Sequence, residues 1–390
     1  MTAPVIFLIA GEPSGDLLGA HLMKALRRLG PPDLRFAGIG GPRMVEAGIE
    51  LFFSQKELAH FGLAELLVHI PHLLRRIDQT AAEVERMKPA ALVTIDAPDF
   101  CFRVAKRLKG KGIPLIHYVA PTVWAWRAGR AKKIARFLDH LLALLPFEPP
   151  YFTEAGLPCS FVGHPIIESG AANGDAARFR AAHGLSETTP VLSVLLGSRT
   201  SEVTRLARIF AETLALLKSR NPDLADLVCA VPTVPQVEMQ VRALTKDWAV
   251  PVIVTTGDAA KYDGFKASTA ALACSGTVAL ELALARLPAV IAYRISPVTA
   301  FLYRRLIKVR YANLVNIMHD RPVVPEFLQE LCTPDRLAAA CEILLADPAA
   351  RAAQAAQLAQ TAVWLGAEDE APSARAARVV LNVSGLEKRP

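Results

Sequence analysis

The sequence predicts an α/β protein of two doubly wound lobes, each built on a parallel sheet. Three observations carry this. Short apolar runs alternate with amphipathic helical patterns. The alternation stops in a Gly-, Pro-, Ser- and Asn-containing segment, Gly163 to Asp175, and then restarts. An apolar strand running into a glycine turn and a helix also recurs, at Gly11–Asp16, Gly197-Ser198-Arg199 and Ser275-Gly276-Thr277. Strands buried on both faces read as short apolar runs, and their alternation with helices defines the doubly wound class.

The chain of 390 residues is longer than one ordinary domain. Residues 1–165 are assigned to an N-terminal lobe, 166–348 to a C-terminal lobe and 349–390 to closing helices. In the first lobe the candidate strands are Val5–Ala10, Arg35–Ile39, Ala91–Ile95, Leu115–Val119, Leu141–Leu145 and Ser160–Val162. Helical patterns cover Leu17–Leu29, Ile77–Met87, Cys101–Lys109 and Ala128–Phe137. In the second, strands are expected at Val191–Leu196, Leu227–Val231, Val252–Thr255, Ala271–Cys274 and Ala289–Tyr293. Its helices are expected at Glu202–Lys218, Val237–Lys246, Thr277–Ala285 and Val298–Ile307. The part from Pro334 onward is Ala-rich and helical, with breaks at Pro348 and Pro372, and its last helix fits either lobe.

Composition narrows the partners. Hydrophobic residues make up 52%, enough for two cores. A net charge of +7 suits a phosphorylated substrate or an anionic membrane surface. Nucleic acid is the poorest fit, because the basic residues scatter through helices without an RNP, zinc-finger or basic-helix pattern. The six cysteines form no Cys-x-x-Cys pair and no zinc spacing, so they read as reduced, buried thiols of a cytosolic protein. No metal site is expected. The first apolar run lacks a basic leader and continues into the glycine turn, so it reads as a core strand and not a signal peptide. No apolar stretch reaches the ~18–20 residues that span a bilayer.

Free N–H groups at a helix start favour anions. The Gly11–Asp16 turn is neither a nicotinamide fingerprint nor a Walker loop, since Asp16 stands where the latter has lysine. It leaves Gly11, Glu12, Ser14, Gly15 and Asp16 as ligand candidates, against a plain turn in which Ser or Asp caps the helix. Asp96 ends an apolar strand, where doubly wound sheets bind ligands, and fits a general base. Asp99, after Pro98, fits a helix cap. Gly197 and Ser198 bring main chain close to a phosphate, and Arg199 offers a guanidinium fork. Ser275, Gly276 and Thr277 repeat that geometry, with Glu281 one turn on to accept ribose hydroxyls. Trp124 and Arg127 precede a basic cluster, Arg130, Lys132 and Lys133, that fits a lipid-linked phosphate or sugar, or else caps the sheet. Phe61 to Ile77, apolar with basic residues and interrupted by Pro71, reads as an interfacial membrane helix or a buried one. His117 and His164, at strand ends, read as packing residues.

In this order the motifs resemble the lipid-A-disaccharide synthase family, inverting glycosyltransferases of the GT-B architecture, in which two Rossmann-like lobes face a central cleft. The carriers are Ala10–Asp16, Gly41-Pro42-Arg43-Met44, Ile95–Phe100, His117–Pro121 with Val123–Arg127, Leu145–Glu148, Phe161–Pro165, Gly197-Ser198-Arg199, Ser275–Thr277 with Glu281, and Tyr311–Asn316. The resemblance implies transfer of sugar from UDP-2,3-diacylglucosamine to lipid X, giving a β-1,6-linked disaccharide 1-phosphate and UDP, in lipid A biosynthesis of a Gram-negative bacterium. It implies Asp96 as base, with Arg199, Glu281 and Asn316 holding UDP. It implies no metal or other cofactor, a peripheral position on the cytoplasmic face of the inner membrane, and last helices that either cross to the first lobe or exchange between the protomers of a homodimer. Two residues depart from the family pattern. Leu196 replaces a proline before the diphosphate loop, and Pro13 stands where many members have Thr. The competing readings are a UDP-N-acetylglucosamine 2-epimerase and a non-catalytic nucleotide-sugar-binding membrane protein.

Overall fold

In a computed structural model of the chain, residues 3–58, 66–125, 129–296 and 309–387 are described. The expected helix Val298–Ile307, Trp126, Arg127 and the start of the Phe61–Ile77 segment lie outside them. The chain forms two compact units, residues 1–165 with 365–390, and residues 166–364. The proposed closing segment 349–390 is divided. The helix Pro348–Trp364 packs in the second unit, and Pro372–Val383 packs on Pro13–Leu29 of the first.

The first unit holds a seven-stranded parallel sheet, β1 (Val5–Ala10), β2 (Arg35–Gly40), β3 (Glu50–Ser54), β4 (Ala91–Ile95), β5 (Leu115–Tyr118), β6 (His140–Ala143) and β7 (Cys159–Phe161), in the order β3-β2-β1-β4-β5-β6-β7. Both faces are buried, as the apolar runs require. Along β1, Phe7 and Ile9 join one core with the helices Leu66–Met87 and Pro98–Leu108. Ile6, Leu8 and Ala10 join the other, with Leu22, Met23 and Leu26 of Pro13–Leu29 and with Val380 and Leu381 of the closing helix. Edge strand β3 escaped the sequence reading because Glu50, Leu51 and Phe52 are exposed, which breaks the two-sided apolar signature.

The second unit repeats the plan with six parallel strands, β8 (Val191–Leu195), β9 (Val228–Thr233), β10 (Val252–Thr256), β11 (Ala270–Cys274), β12 (Ala289–Tyr293) and β13 (Glu326–Leu328), in the order β10-β9-β8-β11-β12-β13. The segment Gly163 to Asp175, where the alternation stops, carries two short 3-10 turns, Pro165–Ser169 and Ala171–Asn173, and is followed by a helix, Ala176–His183, capped by Asp175. A further helix, Asp258–Ala267, lies between β10 and β11, where the sequence reading placed no element.

Boundary shifts have local causes. The first helix starts at Pro13, not Leu17, because proline suits the first helical position, where its missing N–H is not needed. The helix containing Ile77 runs from Leu66 through Pro71. Its apolar periodicity was legible only from Ile77, where Ile77, Thr80, Ala81 and Val84 turn into the core.

Gly38 shows how tightly β1 and β2 meet. Its φ is +143°, and a Cβ there would lie 1.9 Å from the Leu8 carbonyl oxygen. Gly38→Ala is therefore expected to lower unfolding stability by about 3 kcal/mol or more, read as a fall in urea midpoint at unchanged slope.

Candidate active site

In each sheet the crossovers reverse direction once. In the first unit that point lies between β1 and β4, paired through Ala10 and Ile95. In the second it lies between β8 and β11, paired through Leu195 and Ala273. Ligand crevices in open α/β sheets form there, beyond the carboxyl ends of the strands. Asp96, Gly11–Ser14, Gly197–Arg199 and Ser275–Thr277 all leave strands at these two points.

In the first unit, three polar side chains gather. Ser14 Oγ donates to Asp96 Oδ2 at 3.2 Å, and among the described residues Oδ1 takes no hydrogen bond. Burial, and then the charge of Asp96, raise the Glu12 carboxyl above its ordinary range. A Cβ on Gly11 would lie 2.8 Å from that of Ala97, so only glycine lets the two loops touch. Asp96 and Ala97 both hold positive φ, +52° and +40°, a strained conformation for residues other than glycine.

The expectations for Asp16, Gly15 and Asp99 in this unit are corrected. Asp16 faces away from solvent, 3% exposed. Its carboxylate accepts from the backbone N–H groups of Gly41 at 2.8 Å, Met44 at 3.0 Å and Arg43 at 3.1 Å, which fixes the short helix Pro42–Glu46 and engages both oxygens within the fold. Gly15 is buried, and a Cβ there would meet the Ile95 carbonyl at 3.3 Å, so it is a packing glycine. Asp99 lies exposed in the first turn of Pro98–Leu108 and does not cap it; the cap position is Ala97, without a side-chain bond. Trp124 is half-buried, with its Nε1–H donated to Glu148 Oε1 at 3.2 Å and its ring edge-on to Phe147. Arg127 lies outside the described residues.

Glu148 escaped the sequence reading as a structural hub. Its other oxygen accepts from the N–H groups of Leu144 and Leu145, tying the loops after β5 and β6 together. Burial raises its pKa to about 7, opposed by those hydrogen bonds. His117 matches its reading as a packing residue. It is buried against Phe102 and bonded to Thr94 Oγ1 at 2.8 Å, and burial lowers its pKa to about 3. Burial likewise lowers His164 to about 4.

In the second unit the amide cradle after β8 is filled from within. Glu202 Oε2 accepts from the N–H groups of Ser198 at 3.0 Å and Arg199 at 3.3 Å, and Oε1 accepts from Arg199 Nη1 at 2.8 Å. Gly197, at φ +103°, is required because a Cβ would lie 2.5 Å from Glu202 Oε2. The expected anion contact through these N–H groups is thereby corrected: Arg199, with a side chain 77% exposed, is the group that remains open. After β11, neither Ser275 nor Thr277 caps the helix Val278–Leu284. Glu281 accepts at Oε1 from Lys261 Nζ at 2.9 Å and from the Tyr262 hydroxyl at 3.3 Å. Lys261 was missed because its helix was.

Asn316 is also corrected. It is fully buried, and its carboxamide both donates to and accepts from the backbone of Val324, at 2.8 Å each way. It braces the turn before β13 and offers no free group. Among the described residues no cluster of three or more His, Cys, Asp or Glu could hold a metal, and no helix is long and apolar enough to cross a membrane.

The fold is shared by an epimerase and a glycosyltransferase of known structure. A UDP-GlcNAc 2-epimerase from Neisseria meningitidis bound to UDP-GlcNAc superposes with a TM-score of 0.60 at 11% identity, covering 97% of this chain and 98% of the epimerase. CalG4, the calicheamicin glycosyltransferase, does so with a TM-score of 0.60 at 16% identity over the whole of both chains. The class is thus the GT-B α/β fold of glycosyltransferases and epimerases. Within it, the chain belongs to the lipid-A-disaccharide synthase family: the family model described as lipid-A-disaccharide synthetase matches residues 6–378. It is 62% identical over 381 residues to a lipid-A-disaccharide synthase of Rhodospirillum centenum, covering 97% of this chain and 94% of that one. It is 50% identical to that of Paramagnetospirillum magneticum, covering 99% of both. The family condenses UDP-diacylglucosamine with lipid X, and this membership favours the transferase over the epimerase and the non-catalytic binder.

The raised pKa of Glu148 sets a pH dependence. Between its ordinary value of 4.5 and about 7 the folded state holds a proton that the unfolded chain has lost. Its contribution therefore falls as pH rises through that window, by roughly 3 kcal/mol at most. Urea unfolding from pH 4.5 to 8 is expected to show a shallower decline in Glu148→Gln than in the unsubstituted protein.

Proposed function

We propose that the chain joins the two sugars by a single inverting displacement, with Asp96 as general base. The 6-hydroxyl of lipid X gives its proton to Asp96 as its oxygen forms the new bond to the anomeric carbon. The bond from that carbon to the diphosphate breaks in the same step, and UDP leaves with the electron pair. The observation that carries this is the carboxylate of Asp96 at the switch point of the first sheet, with Oδ2 bonded to Ser14 and Oδ1 open. In the second unit, the exposed guanidinium of Arg199 and the uncapped helix start at Ser275–Thr277 take the charge of the departing diphosphate, and Glu281 takes ribose.

The reading extends to a peripheral position on the inner membrane's cytoplasmic face, where both acylated substrates reside. Its support is the helix Leu66–Met87. Leu74 and Arg75 are exposed, whereas from Ile77 the helix is packed in the core.

Asp96→Asn is expected to reduce disaccharide formation about 10²–10⁴-fold, by mass spectrometry of products, with UDP affinity by calorimetry nearly unchanged. Glu12→Gln and Asp99→Asn should lose far less. Full loss in Glu12→Gln with turnover kept in Asp96→Asn would move the base to Glu12. For the membrane, Leu74→Ser/Arg75→Ser should weaken co-sedimentation with phosphatidylglycerol vesicles roughly tenfold. Equal sedimentation of the two proteins would remove this segment from the membrane contact.

A further inference from the structure

The helix Asp258–Ala267 brings Lys261 and Tyr262 against Glu281, which lies in the first turn of the helix Val278–Leu284 that follows β11. Lys261 Nζ donates to Glu281 Oε1 at 2.9 Å and pairs with Asp258 Oδ1 at 2.9 Å. The Tyr262 hydroxyl converges on the same Oε1 at 3.3 Å, and the ammonium lies 4.6 Å from the Tyr262 ring centroid. Among the described residues no group bonds Oε2. The Lys261 and Glu281 side chains are 20% and 14% exposed, while Asp258 is 75% exposed.

A pair this shielded is a poor device for stability alone, because desolvating both ions cancels most of their attraction. Its geometry is specific instead: two donors pin one carboxylate oxygen and leave the other open. Burial works against the charge on Lys261, but Glu281 and Asp258 hold its pKa above the ordinary lysine range, so the ammonium stays charged at neutral pH.

We propose that Lys261 is a positioning residue for the donor nucleotide: it fixes Glu281 so that Oε2 accepts a hydroxyl of the UDP ribose. This rests on the reading of Glu281 as the ribose ligand. A carboxylate freed from Lys261 would rotate and would bind a ribose diol no better than its deoxy analogue.

Calorimetry of the full chain with UDP and with 2′,3′-dideoxy-UDP tests both layers. The unsubstituted protein is expected to prefer UDP by about ten- to a hundredfold, the worth of a charge-assisted hydrogen bond. Lys261→Met should bind UDP about tenfold more weakly and shrink that preference to under about threefold, with Lys261→Arg restoring part of it. The ratio of the two affinities does not depend on how much of a sample is folded, so an unstable variant still gives an answer. A Lys261→Met protein that keeps the full preference for UDP, whatever its affinity or stability, overturns the positioning role. An unsubstituted protein without any preference overturns the ribose reading of Glu281 itself, and the role of Lys261 falls with it.

Discussion

Right-handed crossovers in an all-parallel sheet are the constraint on which both units depend. Each crossover delivers its helix to one face, and the strands between become buried on both sides. Polar chemistry is thereby expelled to the strand ends. It has room only where two neighbouring strands send their chains in opposite directions. In the first sheet that is between β1 and β4, in the second between β8 and β11. Asp96 and Arg199 leave strands at those points for a topological reason that precedes any chemistry.

A second constraint sorts the polar groups gathered there. Backbone N–H groups at loops and helix starts are donors in need of partners, and a nearby carboxylate meets that need before any ligand does. Both oxygens of Asp16 are engaged in this way, by Gly41, Arg43 and Met44. Glu202 is committed to the loop that presents Arg199. Asp96 and Glu281 differ: each has one oxygen engaged by a side chain, and among the described residues the second is free. Unspent acceptor capacity at a switch point separates candidate ligand groups from acids that hold the fold together.

Much of the fold was legible because the central strands are almost wholly apolar. β1, β4 and β12 fall where their apolar runs end. The edges were harder. β3 exposes three of its five residues, and β13 has only three. Asp96 could be located from its strand and the following Pro98, since both signals are local. The roles of Asp16 and Asn316 could not, because their partners lie 25 to 28 and 8 residues away and are backbone atoms, which leave no trace in residue identity. For Lys261 a signal existed. Gly257-Asp258 followed by Tyr262 and Phe265 at helical spacing marks a helix start with one buried face, and that helix brings Lys261 to Glu281.

The strain at Asp96 and Ala97 shows how rigidly the proposed base is held. Two successive left-handed residues cost about 1–3 kcal/mol each. The chain is anchored on both sides of the strained pair. The Asp96 N–H bonds the Tyr118 carbonyl at 3.0 Å, the last rung between β4 and β5, and the Ala97 carbonyl accepts from Cys101 N–H at 3.1 Å, within the first turn of the next helix. No slack remains between strand and helix for the carboxylate to wander. A flexible loop would reach the same place at lower cost, but it would surrender the fixed geometry that lets a weak base act on a sugar hydroxyl. The strain is therefore the physical counterpart of the catalytic role assigned to Asp96, and the ladder bond to β5 is what sustains it.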